Sequence, residues 1–576
     1  MRQFALIVIA LVLFPGCRQE TQKVTNTVKS DSLFTSIADE FIEGFLQARP
    51  RTATYLGVHT YDGQLNDLSK KALDAEVARL KVFDQQLSVF DTAGLSVRTR
   101  MDVTILRNVI KQELFGFEDL RQYQTNPLIY AGALDMSLYV TRDFAPLEQR
   151  MRAVHNMQLN ASALMQQARE NLNDSLARPH VETAIQIAQG GASFMEKQLK
   201  AAFTSVSNDS LRKAFNASNK VAVKALRYYA TWLEKVKLPK AHNRYAIGRD
   251  NYVKMLLYNE GITTSPEDIL LNCEKLLRDE QEKFAQVARK IDPTKEKAID
   301  VFKELQKDHS TAANLIPDAR KNAESIRQFL LDKKIISMPS DVRVTITETP
   351  EFARATSTAS MDTPGPFEKA TQAYYYITPV DPKWTKQQQE EWLSLFSRYV
   401  TDVITIHEAY PGHYTQFLHL NASQATRVEK IFTSYAFVEG WAHYTEQMMI
   451  EEGFGTADSL TQAKYHLAQL NESLLRLCRM YVSIKMHLQG MTVEEGTKFI
   501  EENAYYEHQG AHHEAMRGTY DPGYLSYTLG KQQFLRLRAD YKAKQGNNFS
   551  LQEFHDKVLS FGGPPVELVR QMIMEN

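Results

Sequence analysis

Thr405-Ile-His-Glu-Ala-Tyr-Pro-Gly-His-Tyr414 sets two imidazoles and a carboxylate close together, and Val438-Glu-Gly-Trp-Ala-His-Tyr-Thr-Glu446 adds more acids and a histidine about one helix further on. A catalytic zinc takes three donors of these types from protein and leaves a fourth position for water. His407, His413 and Glu439 are the candidate ligands. Glu408, next to the first histidine, is the candidate general base that would hold and deprotonate the water.

The spacing needs an explanation. At about 100° per residue, histidines four apart lie about 40° from each other around a helix, whereas His407 and His413 would lie about 120° apart. A regular helix cannot aim both at one ion. Pro411 and Gly412 stand between them: proline removes a backbone donor and clashes with the preceding turn, and glycine accepts angles that other residues avoid. A two-residue bulge here would return His413 to the place of a fourth-position ligand. The alternative is that Pro411-Gly412 ends one helix and His413 opens the next, both histidines then being ordinary hydrogen-bonded residues. The conjunction with Glu439 favours the metal.

His-Glu-Ala-Tyr-Pro-Gly-His, then Glu-Gly-Trp-Ala-His-Tyr-Thr-Glu, then Asp-Pro-Gly-Tyr-Leu-Ser-Tyr-Thr-Leu-Gly-Lys near the C-terminus resemble the bacterial domain-of-unknown-function 885 family, with its HExxPGH signature. That family is grouped with gluzincin-like metallopeptidases. The resemblance implies a mainly α fold, a large helical gluzincin-like arrangement with a small β-sheet near the active site. It carries zinc ligation onto His407, His413 and Glu439 and base duty onto Glu408, and it names no substrate.

Other side chains suit such a site. His443, four residues after Glu439, shares its helix face and is read as a hydrogen-bonding support for the ligands rather than a ligand. The stretch from Glu507 to Tyr527 holds Tyr527, the first choice for a donor to a tetrahedral oxyanion. It also holds Arg517, whose fork fits a peptide C-terminus or a site acid, with Tyr524, His512 and His513 as further candidates. Buried-core or ion-pair roles remain open for Arg517 and Tyr527.

The elements that must position these groups read as helices. Leu33, Ile37, Phe41 and Phe45, then Leu80, Phe83 and Leu87, recur at three and four spacing, and this first half carries no catalytic cluster. Tyr139 to Arg142 reads as a short extended piece. Ser265-Pro266-Glu267 is a helix start, followed by a charged segment with Leu276, Phe284 and Val287 as its apolar positions. Asp341 to Glu348 and Ala373 to Pro379 read as strands, with Thr363 to Phe367 irregular between them. Tyr374–Ile377 is the candidate edge strand for an extended substrate, in the manner of strand addition, unless it is only a hairpin capping the helices. Trp384 to Leu420 and Gln424 to Gly453 are the helices expected to carry the metal residues.

Met1 to Cys17 shows Arg2, an apolar run from Phe4 to Phe14 too short to span a bilayer, and Gly16 before Cys17. We expect residues 1–17 to be a lipoprotein signal peptide, 18–32 a flexible tether, and 33–576 one large helical catalytic domain with halves 33–264 and 265–576. Lipid on Cys17 would anchor the protein to the cell envelope, facing outside the cytoplasm in the periplasm or at the surface. Cys273 and Cys478 sit in apolar helical patterns and read as buried free thiols. The 68 basic and 69 acidic residues leave a formal charge of −1, which gives no electrostatic case for nucleic acid. The expected chemistry is zinc-dependent hydrolysis of a peptide or small amide. Rival readings are hydrolysis of another amide or an ester, or an inactive helical scaffold that binds a partner. Nothing in the sequence sets an oligomeric state.

Overall fold

Residues 16–350, 354, 357–368 and 372–575 are described by a computed structural model of the chain. Almost all of them lie in helices and their connections, with one three-stranded sheet. Residues 1–15 of the signal-peptide segment lie outside the described residues.

Helix starts follow local capping chemistry. Ser265 Oγ accepts from the backbone N–H of Asp268 at 3.1 Å, and Pro266 follows at the first turn, so α5 (Pro266–Ile291) begins where the sequence places it. Thr426 with Glu429, opening α8 (Arg427–Ile431), and Thr492 with Glu495 form reciprocal capping boxes. The long α5 lies along α10 (Ser459–Gln489) and buries Leu270, Cys273, Leu277, Phe284 and Val287 against it, leaving its charged face to solvent. Cys273 and Cys478 are free and buried, as expected.

Three readings need correction. Helix α1 runs from Gly16 to Ala48, so the stretch read as a tether is helical; residues 18–32 contain no proline or glycine. Tyr139 lies in a helical turn, Leu138–Thr141, because Ser137 and Leu138 carbonyls take the N–H groups of Thr141 and Arg142; only Arg142 is extended. The strand read over 341–348 is confined to β1 (Thr345–Glu348).

β2 (Ala359–Asp362) is a strand that the sequence did not announce, and it pairs antiparallel with β3 (Tyr374–Ile377), which pairs parallel with β1. The order is β1-β3-β2, so Tyr374–Ile377 is the central strand and cannot accept another. Side chains alternate across it: Tyr375 is buried and reaches Thr405 Oγ1 at 3.5 Å, while Tyr374 and Tyr376 stack on the opposite face.

The largest apolar core gathers residues after 265 but also takes in Phe115 of α3 (Val97–Glu118) and Tyr252, Met255 and Leu256 of α4 (Arg249–Glu260). A second core contains Val428, Ile431 and Met572 beside Phe41 and Leu106. Apolar packing therefore crosses residue 264 in both directions. No helix among the described residues is long and apolar enough to cross a membrane.

Candidate metal centre

Helix α6 (Arg398–Glu408) starts on Ser397, whose Oγ accepts from Val400 N, and ends at Glu408. The chain then breaks, through a cis peptide between Tyr410 and Pro411, before α7 (His413–Ala422) begins. The expected bulge inside one helix is thus replaced by two helices. The second histidine returns to the first all the same.

Close backbone contact makes that return possible. Gly412 N–H donates to the Ile406 carbonyl at 2.9 Å, and a Cβ on Gly412 would stand 1.7 Å from the His407 carbonyl oxygen. Only glycine fits there. Trp441 Nε1 donates to the Pro411 carbonyl at 3.0 Å and Val344 N–H to Tyr410 Oη at 3.2 Å, so both sides of the break are held. The His407 and His413 rings end 4.8 Å apart, edge to face.

Glu439 arrives on α9 (Tyr435–Glu451), capped by Ser434. The buried Glu260 at the end of α4 accepts from Ser434 Oγ and from the Ala436 N–H at 3.1 Å, fixing that helix start. Burial pushes the Glu260 carboxyl up to about 7 against those hydrogen bonds. Gly440 faces Gly530 of α12 (Ser526–Gln545) so closely that a Cβ on Gly440 would stand 2.4 Å from Gly530 Cα, and one on Gly530 would stand 1.9 Å from the Ala436 carbonyl oxygen of α9. This contact brings Tyr527 of α12 beside Glu439.

Donor atoms of His407, His413 and Glu439 all lie within 4.8 Å of one another. Glu439 Oε2 stands 3.5 Å from His407 Nε2 and 3.4 Å from His413 Nε2. Donors about 2.0–2.2 Å from a tetrahedral zinc would be about 3.3–3.6 Å apart, so these separations suit a shared ion. Among the described residues Glu439 Oε2 is buried with those two imidazole nitrogens as its polar neighbours and makes no hydrogen bond of ordinary geometry, a place that a cation would fill.

The field points the same way. Burial disfavours charge on His407, but the facing Glu439 carboxylate, the hydrogen bond to Glu446 and the nearby Glu408 charge outweigh it and hold the ring up to about 10. Glu446, fully buried, is kept well below the usual carboxylate range, because His443, Arg476 and His407 override the cost of burial. Its Oε1 accepts from His407 Nδ1 at 2.6 Å and its Oε2 from His443 Nδ1 at 3.1 Å. His443 is therefore a support reached through Glu446 and stands outside the ligand cluster. Burial, aided by the Lys531 charge, pushes the His443 imidazole down to about 4.

Tyr527 closes one side. Its ring lies parallel to His407 with centroids 6.4 Å apart, meets Tyr435 edge-on at 5.7 Å, and carries Arg479 over its face at 5.0 Å. Burial and the Glu439 charge raise its pKa, opposed by Arg479 and Arg517. Arg517 of α11 (His508–Tyr520) donates to Tyr435 Oη at 2.7 Å and to Asp521 Oδ2 at 3.0 Å, so it orients a phenol as well as an acid. Tyr524 is fully buried beneath the Arg517 guanidinium. His512 and His513 face solvent, His512 toward Thr497, and neither joins the ligands. Glu408 is half-buried beside His407, and its charge is felt by Tyr375 from the sheet.

Glu446, Tyr435, Arg479 and Glu260 escaped the sequence reading. Glu446 carried a usable signal: seven residues after Glu439, it falls about 20° from it around the helix. Tyr435 lies four before Glu439 on the same face. Arg479 and Glu260 come from distant helices, and no local pattern marks them.

Residues 50–573 match the family described as bacterial protein of unknown function (DUF885), and the chain belongs to it. No curated protein matches the sequence. A solved structure of a putative lipoprotein of unknown function from Shewanella oneidensis is similar over 94% of this chain and 99% of its own, at 26% identity and a TM-score of 0.78. That of a putative lipoprotein from Colwellia psychrerythraea covers 95% of this chain and 99% of its own, at 17% identity and a TM-score of 0.79. The second likeness speaks for the fold.

Proposed function

We propose that this chain is a zinc-dependent hydrolase of gluzincin type, reading HExxPGH as its variant of the two-histidine motif, and that it cleaves peptide bonds. One observation carries the reading: donor atoms of His407, His413 and Glu439 converge with zinc-like spacing around a buried carboxylate oxygen. When bound there, zinc would supply Lewis acidity toward a carbonyl and bring the pKa of a water toward neutrality.

The chain's own residues supply the rest. Glu446 fixes the tautomer and aim of His407 by holding Nδ1–H. Glu408 takes a proton from the attacking water and returns it to the leaving amine. Tyr527, flanked by Arg479 and Arg517, donates to the oxygen on which negative charge develops. β2 rather than β3 offers the strand edge for extended substrate: it packs on α6, and the Thr378 N–H to Thr358 carbonyl bond sets a register in which Ala359 and Met361 turn their backbone groups away from β3. A strand edge beside the metal helix that no other strand among the described residues pairs with supports a peptide over an ester or small amide.

Gly16-Cys17 and the lipoprotein names of the two similar structures support a lipid anchor on Cys17 and a place in the cell envelope. The deciding experiment is metal analysis of the purified protein together with a screen of peptides with blocked and free termini. Near-stoichiometric zinc with cleavage of some peptides supports the reading. Absence of zinc after gentle purification and zinc resupply would favour an inactive scaffold.

A further inference from the structure

A cavity of about 580 Å³ lies away from the metal cluster, between the N-terminal helices and the outer face of the sheet. Tyr55 of α2 (Pro50–Leu56), Tyr123 and Tyr376 present rings to it, and Ser360 and Asp362 of β2 form part of its floor. Tyr376 and Tyr375 are neighbours on one strand. Since Tyr375 meets Thr405 of α6, the cavity and the metal helix lie on opposite faces of one sheet.

The wall chemistry selects the occupant. Its charged groups are already paired, Arg51 with Asp135 and Asp362 with Arg142, each at 2.6 Å. What remains is aromatic surface, hydroxyls, and Asn66 Oδ1, a buried acceptor with no hydrogen-bond partner among the described residues. Such a wall suits an uncharged chain that offers N–H donors and flat side chains, and the volume is that of a ligand site of several residues rather than one side chain. The route to the metal runs around the open edge of β2, whose Ala359 and Met361 backbone groups point away from β3. Packed layers stand about 10 Å apart and extended chain advances about 3.3 Å per residue, so a link around that edge takes at least about three residues.

We infer that this cavity binds the uncharged flank of an oligopeptide whose scissile bond lies at the metal centre, at least about three residues away around the edge of β2. The inference rests on the peptidase reading and adds a length and composition requirement to its substrate.

The test uses the full chain loaded with zinc and carrying Glu408→Gln to prevent turnover. Its probe is acetyl-Ala-Tyr-Ala-Ala-Tyr-Ala-amide, titrated by calorimetry beside diacetylchitobiose. Ala133→Trp fills the cavity, and Asn66→Ala removes the orphan acceptor with less risk to folding. The expected result is peptide binding that weakens at least tenfold in Ala133→Trp and measurably in Asn66→Ala, with zinc content unchanged. Affinity indifferent to both changes, no binding of the hexapeptide, or a preference for the disaccharide would each overturn the inference.

Activity separates the two claims. If the parent with Glu408 cleaves peptides but KM ignores cavity filling and peptide length, the cavity assignment falls while the hydrolase stands. If cavity-dependent binding occurs and no peptide is cleaved, the hydrolase reading falls and the cavity remains a peptide site.

Discussion

His407 Nδ1 donates to Glu446 Oε1 at 2.6 Å, and the same carboxylate takes His443 Nδ1 at 3.1 Å through its other oxygen. One buried acid thus sets the tautomer of a candidate ligand while being held in turn by a second imidazole and by the charge of Arg476. Supports of this kind commonly change metal affinity by 10–100-fold when removed. Glu446→Gln, with His407, His413 and Glu439 intact, should bind zinc 10–100-fold more weakly in a chelator competition. An unchanged affinity would separate Glu446 from ligation altogether.

Space at the break demands Gly412. Its missing Cβ would overlap the His407 carbonyl at 1.7 Å, so Gly412→Ala must push α6 from α7 and disturb both histidines. We expect a loss of at least about 2 kcal/mol in denaturant unfolding together with weaker zinc binding. Gly190→Ala is the control: it sits inside a helix with nothing within 4 Å of the added carbon and should be neutral or stabilising by up to about 1 kcal/mol. Equal effects at the two positions would refute the steric account.

Parts of this site could be read from the chain and parts could not, for physical reasons. His407, His413 and Glu439 were legible because ligand chemistry restricts residue types strongly and local spacing brings them near. The form of the break at Pro411-Gly412 was not, since a bulge and a helix change use the same two residues. Ser265-Pro266 announced its helix because a cap is local. The sheet order was hidden because pairing joins distant segments, and Ala359-Ser-Met-Asp362 has little of the branched or aromatic character that marks strands. The central place of Tyr374–Ile377 follows from that unseen neighbour.

Glu408 and the ligands should part company in a metal assay. Glu408→Gln keeps the shape beside His407 and removes the base, so zinc content and thermal stability should stay near those of the parent while hydrolysis falls roughly 100-fold or more. Glu439→Gln and His413→Gln should lose zinc and activity together. A fully active Glu408→Gln protein would end the proposed mechanism.

Tyr527 is predicted to act on the transition state rather than on the substrate. Its phenol sits beside His407 and Glu439 with Arg479 and Arg517 nearby, as a donor to developing negative charge should. Tyr527→Phe should lower kcat roughly 100-fold while leaving KM and zinc content nearly unchanged, the scale of one oxyanion donor. A change in KM alone would make it a binding group.

Asp102 gives a pH-dependent prediction remote from the metal. It is buried on α3 with Oδ1 unpartnered among the described residues, and burial together with the Glu429 charge pushes its carboxyl up to about 7, against a hydrogen bond from Thr426 and the charge of Arg98. A raised acid binds its proton more tightly in the folded state than in the unfolded one. Its favourable contribution is therefore complete below the unfolded value of 3.8 and is lost as pH rises from there through about 7. Asp102→Asn keeps an acceptor for Thr426 and cannot ionise. The stability of the variant relative to the parent should thus rise between pH 4 and pH 8, by at least about 1 kcal/mol, when both are unfolded by urea across that range. A difference that stays flat with pH would mean that Asp102 ionises in the folded protein as readily as in the unfolded chain.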